Sequence, residues 1–278
     1  MTPFDRRGLL RLAAIGAAGS LASACSDSPA PPGPNTGAAA ATGRVATPPA
    51  ATPSPSRTPA ASTGSGPAGA DAVPPLVAGL PFEISSGPHG RPQVALTFHG
   101  QGDPAIATAL LAEAERAGAR ITVMAVGSWL DQQPAMARRI LDGGHELGNH
   151  TQNHGAISTM TADQAYAEIT GCAARLKQLT GGIGRWFRPS QAQDCTAVVA
   201  AQARRAGYAH CLGYNLDSLD YTDPGATAVT DTVLSAVAPG SVVSLHFGHA
   251  GTVSALPGIL DGLHRRGLRA VTTSELLS

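Results

Sequence analysis

Lysine is nearly absent from this chain: of 19 basic residues, Lys177 is the one lysine and the rest are arginine. With the Ala, Gly and Pro load, that bias fits a GC-rich genome rather than a function. No basic cluster occurs beyond the first dozen positions, and 19 acidic residues balance the charge. A nucleic acid or an acidic membrane face is therefore not expected as a partner of the folded part. A Gly-rich phosphate loop is missing too, since Gly143-Gly144 closes a helical pattern instead of opening one. Cysteine is scarce: Cys172, Cys195 and Cys211 lack the spacing of a Cys-x-x-Cys zinc motif. A disulfide among these three leaves one unpaired.

Large apolar residues are almost missing from residues 26 to 75, where Ala, Gly, Pro, Ser and Thr dominate. Such a segment cannot bury enough surface to offset its ordering entropy, so 25–75 is expected to be a disordered tether. Ahead of it, Asp5-Arg6-Arg7-Gly8-Leu9-Leu10-Arg11 reads as a twin-arginine export signal. The mild apolar run from Leu12 to Ala22 is too short for a stable membrane span. Ala22-Ser23-Ala24 is a small-residue cleavage site, giving a signal peptide over 1–24, and Cys25 follows at once. Two outcomes stand: secretion in soluble form, or a lipid on Cys25 as the sole link to the membrane. Localisation is in either case exported, as a cell-envelope lipoprotein or a secreted protein.

What remains, 76–278, is long enough for a single buried core. From Gln93 onward, short apolar runs alternate with amphipathic stretches. Strands are expected at 94–98, 121–126, 146–147, 186–187, 209–216, 242–247 and 270–272. Helices are expected at 104–117, 134–141, 161–179, 196–206, 226–237 and 253–266. Thr161-Ala162-Asp163-Gln164 is a capping box. Alternation of this kind implies an α/β fold with a parallel sheet and helices outside it. The polar residues of interest follow the C-terminal ends of strands, where barrel active sites gather, so the expected form is a (β/α) barrel.

His150 and His154, four apart, place two imidazoles on one face of a helical turn, within reach of one divalent ion. Their context, Gly144-His145-Glu146-Leu147-Gly148-Asn149, is unusually polar for a buried strand. His246 ends an apolar strand, is lifted by it to the mouth, and suits a general acid. Asp217, after another strand, offers a carboxylate to orient that histidine, and Arg188 supplies a fixed cation.

Together these segments resemble the polysaccharide deacetylase family, the NodB-homology proteins of carbohydrate esterase family four. The resemblance covers about residues 90–278. It rests on His150-Thr151-x-x-His154, on Arg188-Pro189, on Asp217-Ser218-Leu219-Asp220-Tyr221, on Leu245-His246 and on the closing 267–277. It implies a distorted (β/α) barrel with a divalent metal, zinc, at its mouth. It further implies removal of acetyl groups from a cell-envelope or environmental polysaccharide such as peptidoglycan. By the same resemblance a backbone N–H at Gln191 helps hold the oxyanion, and Tyr221 stands where the family has an aromatic wall.

The first motif departs from the family. Thr-Phe-Asp-Asp-Gly-Pro is replaced by Thr97-Phe98-His99-Gly100-Gln101-Gly102-Asp103-Pro104, so the carboxylate base becomes His99 and a metal-ligating carboxylate becomes Gly100. Ser190-Gln191 also stands where the family has Pro-Tyr. Two repairs are open: His99 joins His150 and His154 as third ligand, or His99 serves as base with Asp103 swinging in to assist. The alternative to an active hydrolase is a noncatalytic, glycan-binding pseudoenzyme of the same fold.

Overall fold

The structure, a computed structural model, describes residues 74–278. The signal-type segment 1–24, Cys25 and the tether as far as residue 73 lie outside the described residues.

A two-residue strand, β1 (Glu83–Ile84), precedes the central strand β2 (Gln93–Gly100). Then follow α1 (Pro104–Arg116), β3 (Thr122–Ala125), α2 (Gly127–Gln132), α3 (Ala135–Asp142) and β4 (Glu146–Asn149). The second half carries α4 (Ala162–Thr180), α5 (Ala197–Arg205), β5 (Cys211–Leu212), β6 (Leu216–Asp217) and α6 (Ala226–Ala236). It ends with β7 (Val242–His246), α7 (Ala250–Arg265), β8 (Arg269–Val271) and α8 (Thr273–Leu276). The capping box at the start of α4 forms as read from its sequence.

β4, β3, β2, β7 and β6 lie side by side in that order, all parallel, with β8 paired to the first residues of β2. Single bridges carry the ring onward from Asn149 to Phe187 and from Phe187 to Cys211, while β1 pairs with β5. Residues 211–217 close it: their start lies against Phe187 and their end pairs with β7. The result is an irregular parallel barrel. The single strand expected at 209–216 is split where the backbone changes partner, Gly213 N donating to Ile84 O and Asn215 N to Val242 O. There the Arg188 guanidinium takes the carbonyls of Leu212 and Gly213, at 2.8 and 2.9 Å. The helix α2 and the strand β1 were not expected; α2 is a single six-residue helix with no side-chain cap and β1 is two residues long, too little for a periodic signal.

Side-chain alternation along β2 divides the core into two layers. Val94, Leu96 and Phe98 pack outward against the helices with Leu110, Val123, Leu245 and Leu256. Ala95 belongs to the inner set with Met124, Trp186, Leu212 and Val242. By the same period Thr97 and His99 face inward above them, so the barrel interior is apolar low down and polar at its mouth.

The strand beginnings form the opposite end. There Glu146 accepts from Trp186 Nε1 (2.8 Å), Thr122 Oγ1 (3.2 Å) and Ser274 N (3.0 Å), and from the Ser274 hydroxyl. This network ties β3, β4 and the C-terminal helix together. Burial pushes the Glu146 carboxyl above its ordinary range, against the opposing pull of the Ser274, Trp186 and Thr122 donors. Arg91, Arg120, Arg138, Arg185 and Arg269, far apart in the sequence, also come together at this end, with Asp142, Glu146 and Glu275 among them.

Glu146→Ala is expected to lower stability by about 2–3 kcal/mol, because four donors lose their acceptor. A carboxyl with a raised folded pKa contributes most below its unfolded pKa, and part of that is lost as pH rises through the folded value. Denaturant unfolding between acid and neutral pH should therefore show the gap between wild type and variant narrowing as pH rises; a gap that widens would contradict this account.

Candidate active site

β2 and β7 run in register, pairing His99 with His246. Both side chains therefore emerge at the same level of the mouth, with ring centroids 4.2 Å apart. Register across β3 and β4 aligns Ala125 with Asn149, which brings the next residue, His150, to the same rim. Its ring centroid lies 4.4 Å from that of His99.

The segment 150–154 is not the helical turn expected from its spacing. Thr151 and His154 both adopt left-handed backbone, φ 68° and 56°. For a β-branched residue such as Thr151 that conformation is strained, and it must be held by its surroundings. Asn149 does the holding: its Oδ1 accepts from Thr151 N (2.8 Å) while its Nδ2 donates to Ile169 O and Tyr208 Oη. The chain doubles back, and the Nε2 atoms of His150 and His154 come within 3.1 Å.

His99, His150 and His154 each offer one ring nitrogen, all within 4.8 Å of one another. His150 Nδ1 lies 3.0 Å from the Arg188 carbonyl. A carbonyl only accepts, so Nδ1 carries the proton and Nε2 keeps its lone pair for a ligand. Burial, foremost, and the charges of His150, Arg188 and His246 hold His99 well below the usual imidazole range. Burial does the same to His150, with His154 adding to it. Three neutral imidazoles converging in this way are a donor set that fits a divalent ion.

Facing them, His246 Nδ1 donates to Asp220 Oδ1 at 2.7 Å, and its backbone N–H reaches Oδ2 at 2.8 Å. Thr252 Oγ1 donates to the same oxygen at 2.7 Å. Burial pushes the Asp220 carboxyl up, but the hydrogen bonds and charge of His246 and the Thr252 hydroxyl outweigh it, leaving a net lowering. The carboxylate behind His246 is thus Asp220. Asp217 instead caps its own turn, accepting from Leu219 N at 3.0 Å, so the orienting role expected of it falls to its neighbour three residues on.

Arg188 is fully buried, and burial pulls its guanidinium down to about 9. It works through its carbonyl on His150 and through its guanidinium on residues 212–213, with the ring of Tyr214 at 5.4 Å. No carboxylate among the described residues pairs with it. Asp103 does not swing toward the histidines either: it is exposed and caps α1 through Ala105 N at 2.8 Å. Gln191 has left-handed backbone, φ 54°, and its side chain donates to His154 O at 2.8 Å, bracing the loop. Tyr221 is 47% exposed with its ring 5.3 Å from that of His246, an aromatic wall open to solvent. Gly100 leaves no room for a replacement carboxylate: a Cβ there would sit 2.7 Å from Val123 Cγ1 and 3.1 Å from Ala125 Cα.

Several site residues carried no signal in the sequence. Ser244 Oγ meets His99 Nε2 at 3.3 Å, and only its place two residues before His246 on the same strand face hinted at it. Thr252 and Tyr214 carried none. Cys195 and Cys211 form a disulfide that fastens the loop beyond Gln191 to β5, and Cys172 is free and buried.

A parallel barrel with a histidine cluster and a His–Asp pair at its mouth defines a hydrolase-type architecture, and comparison with known proteins agrees. The polysaccharide deacetylase family model matches residues 86–211. A peptidoglycan-N-acetylglucosamine deacetylase of Bacillus cereus is 30% identical over 200 residues, covering 68% of this chain and 90% of that protein. A chitooligosaccharide deacetylase of Rhizobium leguminosarum is 28% identical over 203 residues, covering 68% and 88%. Among solved structures, a family 4 carbohydrate esterase from Streptomyces lividans, in complex with acetate, superposes with TM-score 0.60 at 25% identity, covering 64% of this chain and 91% of that one. A pseudoenzyme of the same family from Bacillus anthracis superposes with TM-score 0.67 at 22% identity, covering 72% and 70%; that likeness is of fold. The chain belongs to the polysaccharide deacetylase family, a family of hydrolases.

Asp220→Ala should cost about 2–4 kcal/mol, since it strips three hydrogen bonds from a buried carboxylate. Asp217→Ala, which removes one turn contact, should cost less than about 1 kcal/mol. Equal losses in thermal unfolding would overturn the assignment of Asp220 as the partner of His246.

Proposed function

We propose that the chain is a metal-dependent deacetylase that hydrolyses acetyl groups from a cell-envelope carbohydrate polymer, with a rebuilt site of three histidines. The observation that carries this reading is the convergence of His99, His150 and His154 opposite the His246–Asp220 pair. The three histidines would hold the ion, and zinc is the metal such a set suits. When bound, the ion supplies Lewis acidity toward a water and the acetyl carbonyl.

This chain's own residues do the rest. With Nδ1–H committed to Asp220, His246 presents Nε2 to the mouth. It can take the proton of the attacking water there and return it to the leaving amine or alcohol. One imidazole then serves both proton transfers, which answers the loss of the family's carboxylate at position 99. Arg188 keeps His150 oriented through its carbonyl and stiffens the wall at residues 212–213. Gln191 holds the His154 loop from its side chain, leaving its backbone N–H for the oxyanion role that the family resemblance implies. Tyr221 lines the way in for a sugar ring. Asp103 and Asp217, as turn and cap residues, have no step in this scheme.

Residues 1–24 are taken as a twin-arginine-type signal, 25–75 as a tether and 76–278 as the deacetylase domain. Export follows from that reading, with a lipid on Cys25 in the anchored form. A noncatalytic, glycan-binding role is the second reading, favoured by Gly100, where the packing of β3 excludes a second carboxylate.

Metal analysis of the full chain is expected to give one ion per molecule, lost in His99→Ala. His246→Ala should keep the ion and release acetate from peptidoglycan, chitin oligomers or acetyl-xylan about 10²–10⁴-fold more slowly. Metal retained in full by His99→Ala would sink the three-histidine site. Sugar binding without metal or acetate release by the wild type would establish the second reading.

A further inference from the structure

The end of the barrel away from the histidines carries a groove of about 1180 Å³. Arg91, Arg120, Arg138, Arg185, Arg269 and His145 line it. They come from the segment before β2, the approach to β3, α3, the approach to Phe187, β8 and the turn before β4, so no stretch of sequence announces the cluster. Arg91, Arg120, Arg138 and Arg269 are exposed. The opposing groups are few: Glu275 is paired with Arg120, Arg91 donates to the Ser278 carbonyl, Glu146 is sunk in its own donors, and Asp142 lines the same groove. Arg138 and Arg269 have no carboxylate partner among the described residues. In a chain whose charges balance overall, positive charge is thus concentrated on one face.

Two facts of placement bear on what meets this face. Pro74, where the described chain begins, lines the same groove, and its carbonyl accepts from Arg185 at 2.8 Å. The 73 residues that precede it therefore join the domain here. The histidine mouth lies toward the other end of β2, where His99 is six residues beyond Gln93 and roughly 20 Å away at the usual strand rise.

We propose that this arginine-lined face docks on the anionic headgroups of a phospholipid membrane, which turns the mouth outward. Guanidinium groups suit phosphate through paired N–H donors. A handful of exposed cations gives reversible, salt-sensitive attachment rather than a permanent anchor. The inference needs neither metal nor acetate release, so failure of the deacetylase reading leaves it standing. Lipidation of Cys25 is removed from the test by substitution.

The experiment uses the full chain carrying Cys25→Ser, with vesicles of phosphatidylcholine, alone or with about one third phosphatidylglycerol. Sedimentation should show binding to the anionic vesicles only, falling steeply as salt is raised. Arg91→Gln/Arg138→Gln/Arg269→Gln in the same background should bind about a hundredfold more weakly, about 2.8 kcal/mol at 1.4 kcal/mol per decade. Both proteins carry the same residues 1–73, so the difference reads the groove alone. An unchanged thermal midpoint certifies the variant's fold; failing that, the single variants Arg138→Gln and Arg269→Gln in the same background decide, each expected to bind about fivefold more weakly than the parent. Equal binding by parent and variant, salt-independent binding, or equal binding to uncharged vesicles would overturn the proposal. So would full displacement by inorganic phosphate at an equal phosphate concentration, which would mark a small-anion site instead.

Discussion

The register between β2 and β7 is the constraint on which the site depends. β2 is the central strand, paired on both sides, and alternation places His99 inside only in this register. A slip of one residue would send His99 into the helix layer and bring Phe98 or Gly100 to the mouth. The outward packing of Val94, Leu96 and Phe98 prevents the slip, so the apolar layer that stabilises the barrel also fixes the height of the imidazole. His246 is carried to the same level by the partner strand, and His150 arrives there by the alignment of β3 with β4.

Around that frame, backbone carbonyls and turns do much of the positioning. Arg188 is the clearest case. Its side chain looks like a cation for a substrate or a carboxylate, yet its guanidinium is spent on two carbonyls of the barrel wall and its own carbonyl sets the tautomer of His150. The left-handed residues Thr151 and His154 are similar: local strain, held by Asn149, folds a four-residue spacing back on itself. The histidine pair converges as a helix would have made it do, by a different route.

Much of this was legible in the sequence. Period-two and period-3.6 patterns marked the main strands and helices, since each buries one face, and the family motifs marked His150, His154, His246 and Arg188. What escaped was set by contacts between distant segments. Nothing local distinguishes Asp217 from Asp220 as the partner of His246; the choice depends on where the turn after β6 meets β7 and α7. Asp103 read as a mobile acid because a helix cap and a loop ligand share one composition. The arginines of the barrel floor lie tens of residues apart and gather only when the strand beginnings come together.

Gly100 gives the divergence of this chain a direction. Where the family carries a carboxylate, β2 and β3 here lie too close for any side chain, and Val123 and Ala125 occupy the room it would need. Restoring an aspartate by one substitution would meet an overpacked wall, at a cost of about 1–3 kcal/mol. Return to a two-carboxylate site must therefore pass through a less stable protein or wait for β3 to change first. Positions 100 and 123 are thereby coupled: a side chain on β2 at this height needs a smaller neighbour on β3, so the two must change together.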